Sequence, residues 1–433
     1  MGRKAMNSKR IRLAYGKCGL EIEVPASAEV IEPRYVAGLP DERGAIVEAL
    51  RTPIESAPLR ERVRPGQRVT VVHTDITRAT PNERILPPLL AELEGAGIRR
   101  DAVTLLNALG THRPQTDEEL RGMLGADIVA NYRCLQHDGK DNANLVHVGR
   151  TRFGHDVRVN RAYMEADVRI LTGFIEPHFF AGFSGGPKGV LPSIAGAESV
   201  LDNHGAAMIG DPRATWGITH GNPVWEEMLE AATLTRPTFL LNVTMNRDKQ
   251  ITGVFAGEMA AAHEAGCRFV QKCAMAPVEE PFDIVVTSNS GYPLDLNLYQ
   301  AVKGMSAAAQ VVRPGGHIIV AAECWDGIPD HGQFRGLLNS FPSPAAALES
   351  IRSGHTSSLD QWQVQVLAMI LQKAAVHVYA DGLTDAQIRG AMLAPCRNIE
   401  RTIEALIAES HTPCRICVLP EGPLTIPYLT MRE

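Results

Sequence analysis

Three times in its first half the chain repeats one pattern: a short apolar run stops at a polar loop, and a helix pattern follows. Arg68-Val69-Thr70-Val71-Val72-His73, after Pro65-Gly66, ends at Thr74-Asp75-Ile76-Thr77-Arg78, before Pro81 opens an apolar-periodic helix over 83–95. Val103-Thr104-Leu105-Leu106 runs into Gly110-Thr111-His112-Arg113, after which Thr116 and Glu119 have the spacing of a capping box. Val168-Arg169-Ile170-Leu171 feeds the segment from Glu176 to Lys188. Strands alternating with helices predict a mostly parallel sheet, whose ligands bind beyond the carboxyl ends of the strands. The three loops should therefore share one edge and bring Asp75, Arg78, His112, His178 and Lys188 to one crevice.

The pattern resumes after a charged, proline-containing stretch, 276–281, which is the best linker candidate. Phe282-Asp283-Ile284-Val285-Val286 reads as a buried strand, followed by Asn289-Ser290-Gly291-Tyr292-Pro293-Leu294-Asp295 and a helix over 296–311. His317-Ile318-Ile319-Val320 reads as a further strand with Trp325 and Asp326 near its end. The expected fold class is α/β: two α/β domains with mostly parallel sheets and an interdomain active-site cleft. Residues 1–276 would form an N-terminal cofactor-binding domain and 282–412 a C-terminal substrate-binding domain. A terminal strand within 415–433 would return to the first domain.

Composition narrows the function classes. A chain of 433 residues, 45% hydrophobic and 21% charged, can bury two or three cores of ordinary size. A net charge of −6 and 5% aromatic residues offer neither a basic field nor stacking platforms for nucleic acid. The first ten residues are basic, but no apolar run follows them and none approaches a membrane span, so a cytoplasmic location is expected. The eight cysteines are scattered and read as free thiols, Cys414 and Cys417 included.

The densest chemistry lies in Glu176-Pro177-His178-Phe179-Phe180-Ala181-Gly182-Phe183-Ser184-Gly185-Gly186-Pro187-Lys188, with Asn203-His204 beyond it. Small residues there let backbone approach a ligand, while His and Lys bring reactive groups. His112, His178 and His204 lie in polar or glycine-rich stretches near strand ends, where a purely structural imidazole has little to pack on. His73, His147, His263 and His355 are read as ordinary satisfied or solvated rings. Lys188 suits a phosphate contact or a covalent amine. The phosphate-loop pattern fails at Pro187 and Gly189, and no GxGxxG opens a helix after a strand. On the helix after Asp295, Gln300 and Lys303 share a face at i and i+3. From these residues alone, a non-catalytic divalent-metal carrier using the histidines is the alternative to an enzyme. A metal-dependent hydrolase would need a carboxylate cluster that the loops do not supply.

Taken together, Asp75-Ile-Thr-Arg78, Gly110-Thr-His112-Arg-Pro, the Glu176 to Lys188 string, Asn203-His204, Gly291-Tyr-Pro-Leu-Asp and Tyr299-Gln300-Ala-Val-Lys303-Gly-Met resemble the lactate racemase family, which uses a nickel-pincer nucleotide. The resemblance spans nearly the whole chain, to Asp360-Gln361-Trp362 and the last strand. It implies a racemase or epimerase of a small 2-hydroxy acid. Lys188 would carry the pyridinium-derived cofactor covalently and His204 would complete the nickel coordination. Asp75, Ile76, Thr77 and Arg78 would hold the nucleotide, and Arg78, Tyr299, Gln300 and Lys303 the substrate. His112 and His178 would be the paired acid/base residues, one for each enantiomer.

The resemblance also implies separate cofactor-synthesis enzymes as partners. It names neither the individual acid nor an oligomeric state. The chain departs from the family pattern at Pro192-Ser193 and at Thr77-Arg78-Ala79-Thr80-Pro81, and neither change removes a chemical group. Trp325 stands where it can reshape a pocket and so bears on which acid is taken.

Overall fold

The structure is a computed structural model that describes residues 7–330 and 332–430. The first six residues of the basic N-terminal stretch and the last three of the expected 415–433 segment lie outside it. The chain divides into two compact units: one made of Tyr35–Glu176 and Phe180–Cys273, the other of the stretch ending at Arg34, Pro177–Phe179 and the stretch from Ala274 onward.

The first unit is built on a six-stranded sheet. Its strands are β1 (Val69–Thr74), β2 (Val103–Ala108), β3 (Arg133–Gln136), β4 (Val168–Phe174), β5 (Phe239–Met245) and β6 (Ile251–Gly257), in the spatial order β6-β5-β4-β1-β2-β3. Only β6 runs antiparallel, against β5. The central strand β1 is buried along both faces except at Thr74, which is why its sequence reads as a continuous β-branched run rather than an alternation. Ile85, Leu86, Leu89 and Leu93 of the helix Asn82–Gly95 pack against Val69, Val71 and Leu105 in one core. The Thr116–Glu119 capping box forms at the start of the helix Asp117–Leu124. Strand order reverses between β1 and β4, so the loops after these neighbours open at a topological switch point, where open α/β sheets bind their ligands.

The second unit carries a wholly parallel sheet: β7 (Phe282–Ser288), β8 (Val312–Ala321), β9 (Ala374–Tyr379), β10 (Ala394–Pro395) and β11 (Ile416–Leu419), in the order β10-β9-β8-β7-β11, with the two-residue strand Glu29–Val30 outside β11. The expected domain boundaries differ from this arrangement in four respects, one being that Pro177–Phe179, within the expected 1–276 domain, groups with the C-terminal unit. Residues up to Arg34 belong with the C-terminal unit, because the antiparallel hairpin Ser8–Leu13/Leu20–Pro25 places Leu13, Ile22 and Val24 in a core with Ile284, Val286 and Val418. The terminal strand does not return to the first unit. All four residues of β11 are buried, and it fills the place between β7 and Glu29–Val30. The first half of the linker candidate 276–281 falls in the strand Met275–Val278, which pairs with Ile426–Leu429 in a two-stranded ribbon, a setting that tolerates Pro277.

All eight cysteines are free thiols. Among the described residues no helix is long and apolar enough to cross a membrane.

Candidate active site

The loop after β1 is organised by Asp75. Its Oδ1 accepts from the Thr77 hydroxyl at 2.7 Å and from the Thr77 amide at 3.2 Å, while the Arg78 amide closes the turn onto the Asp75 carbonyl. Oδ2 lies 2.6 Å from Nδ1 of His112, from the loop after β2. Burial works to raise the Asp75 carboxyl, but the charge and hydrogen bond of His112, with Arg78 and Thr77, outweigh it and hold the group below its usual range. An ionised carboxylate can only accept, so Nδ1 of His112 must carry the hydrogen, leaving Nε2 as the ring atom able to exchange a proton. Asp75 is 3% exposed, while the His112 side chain keeps about a quarter of its surface open. Ile76 and Arg78 are half-buried beside it, and Arg78 Nη1 donates to the Thr77 hydroxyl at 3.3 Å.

Lys188 sits in the short 3-10 helix Gly186–Gly189, 6% exposed, with Nζ 5.6 Å from the ring centroid of Phe180. The backbone that delivers it has no room for side chains. Gly185 and Gly186 adopt φ of +78° and +52°, and a Cβ on Gly186 would lie 2.3 Å from Cγ of His263. Asn242 Oδ1 accepts from the Gly186 amide at 2.7 Å, and His263 Nε2 lies 2.9 Å from the Ser184 carbonyl. His263, read from sequence as an ordinary ring, thus forms the floor of the lysine loop together with Asn242. The signal that could have found them is the Gly185-Gly186 pair, which requires something wide beneath it. Just beyond Lys188, the Gly110 amide donates to the Ser193 carbonyl at 2.9 Å, tying the His112 loop to this segment.

His204 caps the carboxyl end of the helix Ala197–Asn203, 3% exposed, its ring edge-on to Phe180 at 5.0 Å. Burial, reinforced by the charge of Lys188, pushes its pKa well below the usual value, so the ring is neutral near pH 7 and keeps a lone pair for a metal. The first unit therefore brings together Asp75, Thr77, Arg78 and His112 as one cluster, and Lys188, Phe180 and His204 as another.

The remaining expected residues belong to the second unit. His178 is 4% exposed, its ring 4.9 Å from that of Phe179. Tyr299, Gln300 and Lys303 lie on the helix Leu298–Val311, which Asn297 caps. The Tyr299 hydroxyl accepts from Trp362 Nε1 at 2.9 Å. Gln300 is buried, and its Oε1 has no hydrogen-bond partner among the described residues. Asp295, from the Gly291-Tyr-Pro-Leu-Asp motif, is a brace: its Oδ2 accepts from the amides of Gly16 at 2.7 Å and Glu323 at 3.1 Å. Trp325 is half exposed, its ring 6.4 Å from that of Tyr292.

Family models for the lactate racemase N-terminal domain and C-terminal domain match residues 15–217 and 278–426. The chain belongs to the lactate racemase family. It is 35% identical over 420 residues to a lactate racemase of Thermoanaerobacterium thermosaccharolyticum, covering 95% of this chain and 97% of the relative. It is 36% identical over 383 residues to a lactate racemase of Lactiplantibacillus plantarum, covering 88% and 90%. The structure of the T. thermosaccharolyticum lactate racemase apoprotein superposes with a TM-score of 0.90 at 33% identity, over 98% of this chain and all of that one. A Thermotoga maritima protein, at 20% identity and a TM-score of 0.72 over 92% of this chain, shares the fold. Membership makes the protein an isomerase of the racemase type.

Proposed function

We propose that this lactate racemase family member interconverts the enantiomers of a small 2-hydroxy acid of the lactate type, using a nickel-pincer nucleotide attached to Lys188. The observation that carries the reading is the pairing of a buried amine with a buried neutral imidazole. Lys188 and His204 are close enough for the lysine charge to help keep the ring unprotonated. Acylation of Nζ would remove that charge from a buried position, and His204 would offer nickel a neutral nitrogen. These residues fit the group: the backbone at Gly185 and Gly186 is pressed against Asn242 and His263, so the lysine is held on a fixed base.

When bound, the cofactor supplies an acceptor and donor for the α-hydride, chemistry that no side chain here offers. Within this reading His112 Nε2 takes the hydroxyl proton when one enantiomer reacts and supplies the hydroxyl proton when that same enantiomer is formed, with Asp75 holding the ring and offsetting the imidazolium that forms. His178 does the same for the opposite enantiomer. Arg78 and Lys303 counter the substrate carboxylate, and Gln300 and Tyr299 orient it. Asp75, Ile76, Thr77 and Arg78 hold the nucleotide portion.

The test is protein co-produced with the cofactor-synthesis enzymes, measured for intact mass, nickel content and the peptide carrying Lys188, alongside racemisation of L- and D-lactate. An adduct on Lys188 with about one nickel per chain and interconversion of the enantiomers is expected. An unmodified lysine despite working supply enzymes sinks the cofactor assignment, and a loaded protein inert toward lactate moves the substrate to another 2-hydroxy acid.

A further inference from the structure

We infer that Glu227 is a positioning residue for the metal ligand His204, acting through Asn203. The inference rests on His204 being that ligand. Glu227 lies on the helix Pro223–Thr235 and is 1% exposed. A carboxylate so deep in a protein must be satisfied by donors, and here three converge on it. Oε1 accepts from the Thr151 hydroxyl at 2.6 Å and faces Nδ1 of His155 at 2.8 Å, and Oε2 accepts from Asn203 Nδ2 at 3.0 Å.

Asn203 is fully buried and is the last residue of the helix that His204 caps. Its amide nitrogen also donates to the Val224 carbonyl at 3.1 Å, so both of its hydrogens are spent on the Pro223–Thr235 helix. The end of one helix is thus clamped to the flank of another one residue before the metal-binding ring. The His204 amide donates to the Val200 carbonyl at 2.9 Å, and its ring makes an edge contact with Phe180.

The arrangement needs an acceptor-only group at 227. An ionised carboxylate serves all three donors without a hydrogen of its own. A glutamine can keep its carbonyl on Asn203 only by turning its NH2 toward Thr151 and His155. A leucine serves none of them. Residues that hold metal ligands from behind commonly change metal affinity by about 10- to 100-fold when lost.

The test uses the nickel-loaded holoenzyme and follows nickel release to a chelator, with thermal stability measured in parallel. Glu227→Leu is expected to release nickel at least about 10-fold faster than the wild type, with Glu227→Gln between the two. Thr151→Val removes a buried donor but leaves the Asn203 clasp, so it lowers stability while releasing nickel at the wild-type rate. Asn203→Ala carries the same expectation as Glu227→Leu and serves if that variant fails to fold. Adding it to Glu227→Gln should produce no further acceleration beyond Asn203→Ala alone. Wild-type release rates in Glu227→Leu or Asn203→Ala, or equal acceleration in Thr151→Val, overturn the proposal. His204→Ala that retains nickel like the wild type instead overturns the ligand role on which it rests.

Discussion

At the scale of single residues, what distinguishes the site is which groups are kept charged and which neutral. Asp75 stays ionised although it is buried, because His112, Arg78 and Thr77 face it. Replacing it with Asn keeps the shape but removes the acceptor-only partner that fixes the His112 tautomer. Asp75→Asn should lower kcat per bound nickel by at least about 10²-fold, and unchanged turnover per nickel would show that the pairing is incidental. His112→Ala and His178→Ala should each abolish most interconversion while retaining nickel. If either variant turns over normally, the two-base scheme is wrong.

Among the elements, the close approach of glycines is decisive. Gly304 lies in the interior of the helix Leu298–Val311, where alanine would ordinarily be the better helix former by about 1 kcal/mol. Here a Cβ would stand 2.2 Å from the Ser288 carbonyl oxygen at the end of β7, so the helix rests directly on the strand. Gly304→Ala should therefore destabilise, by about 1–3 kcal/mol from overpacking, read as a lowered denaturation midpoint. A raised midpoint would mean that the helix can lift away from β7. The sequence made the strands at Val69, Val103, Val168 and Phe282 legible because each is a short apolar run bounded by turn residues, and the Thr116 cap legible because its chemistry is local. It concealed Glu227, His263 and Asn242, whose importance comes from partners far away in the chain. It also misassigned the last strand: Ile416–Leu419 is apolar enough to be buried in any sheet, and only its neighbours decide which. His178 and Lys188 share one string of residues in sequence, yet Pro177–Phe179 groups with the second unit and Lys188 with the first.

For the molecule as a whole, the buried imidazoles of the first unit set a pH limit. Burial lowers His73 and His263 from the usual 6.5 to about 4, and lowers His137 and His204 as well. Between those values the unfolded chain binds protons that the folded chain refuses, so stability is complete above about pH 6.5 and declines as pH falls toward 4. Each of the first two groups contributes a loss of about 3 kcal/mol across that window at roughly 1.4 kcal/mol per pH unit. Denaturant unfolding at pH 7.5, 6 and 5 should show the decline, and His73→Asn should flatten it. A profile level down to pH 5 would show that the rings protonate in place.

The pairing of Glu29–Val30 with Cys417 and Val418 has a consequence during synthesis. A ribosome delivers that short strand long before its neighbour. All of the first unit, Tyr35–Glu176 and Phe180–Cys273, emerges in between, so the unit begun second can finish its sheet first. The opening hairpin must wait, its Leu13, Ile22 and Val24 unmatched, until β7 and β11 arrive, and Glu29–Val30 waits for β11. A truncation just before Ile416 leaves Glu29–Val30 without its strand partner and takes Val418 from the hairpin's core, a defect that would look like N-terminal misfolding although the missing residues lie far along the chain.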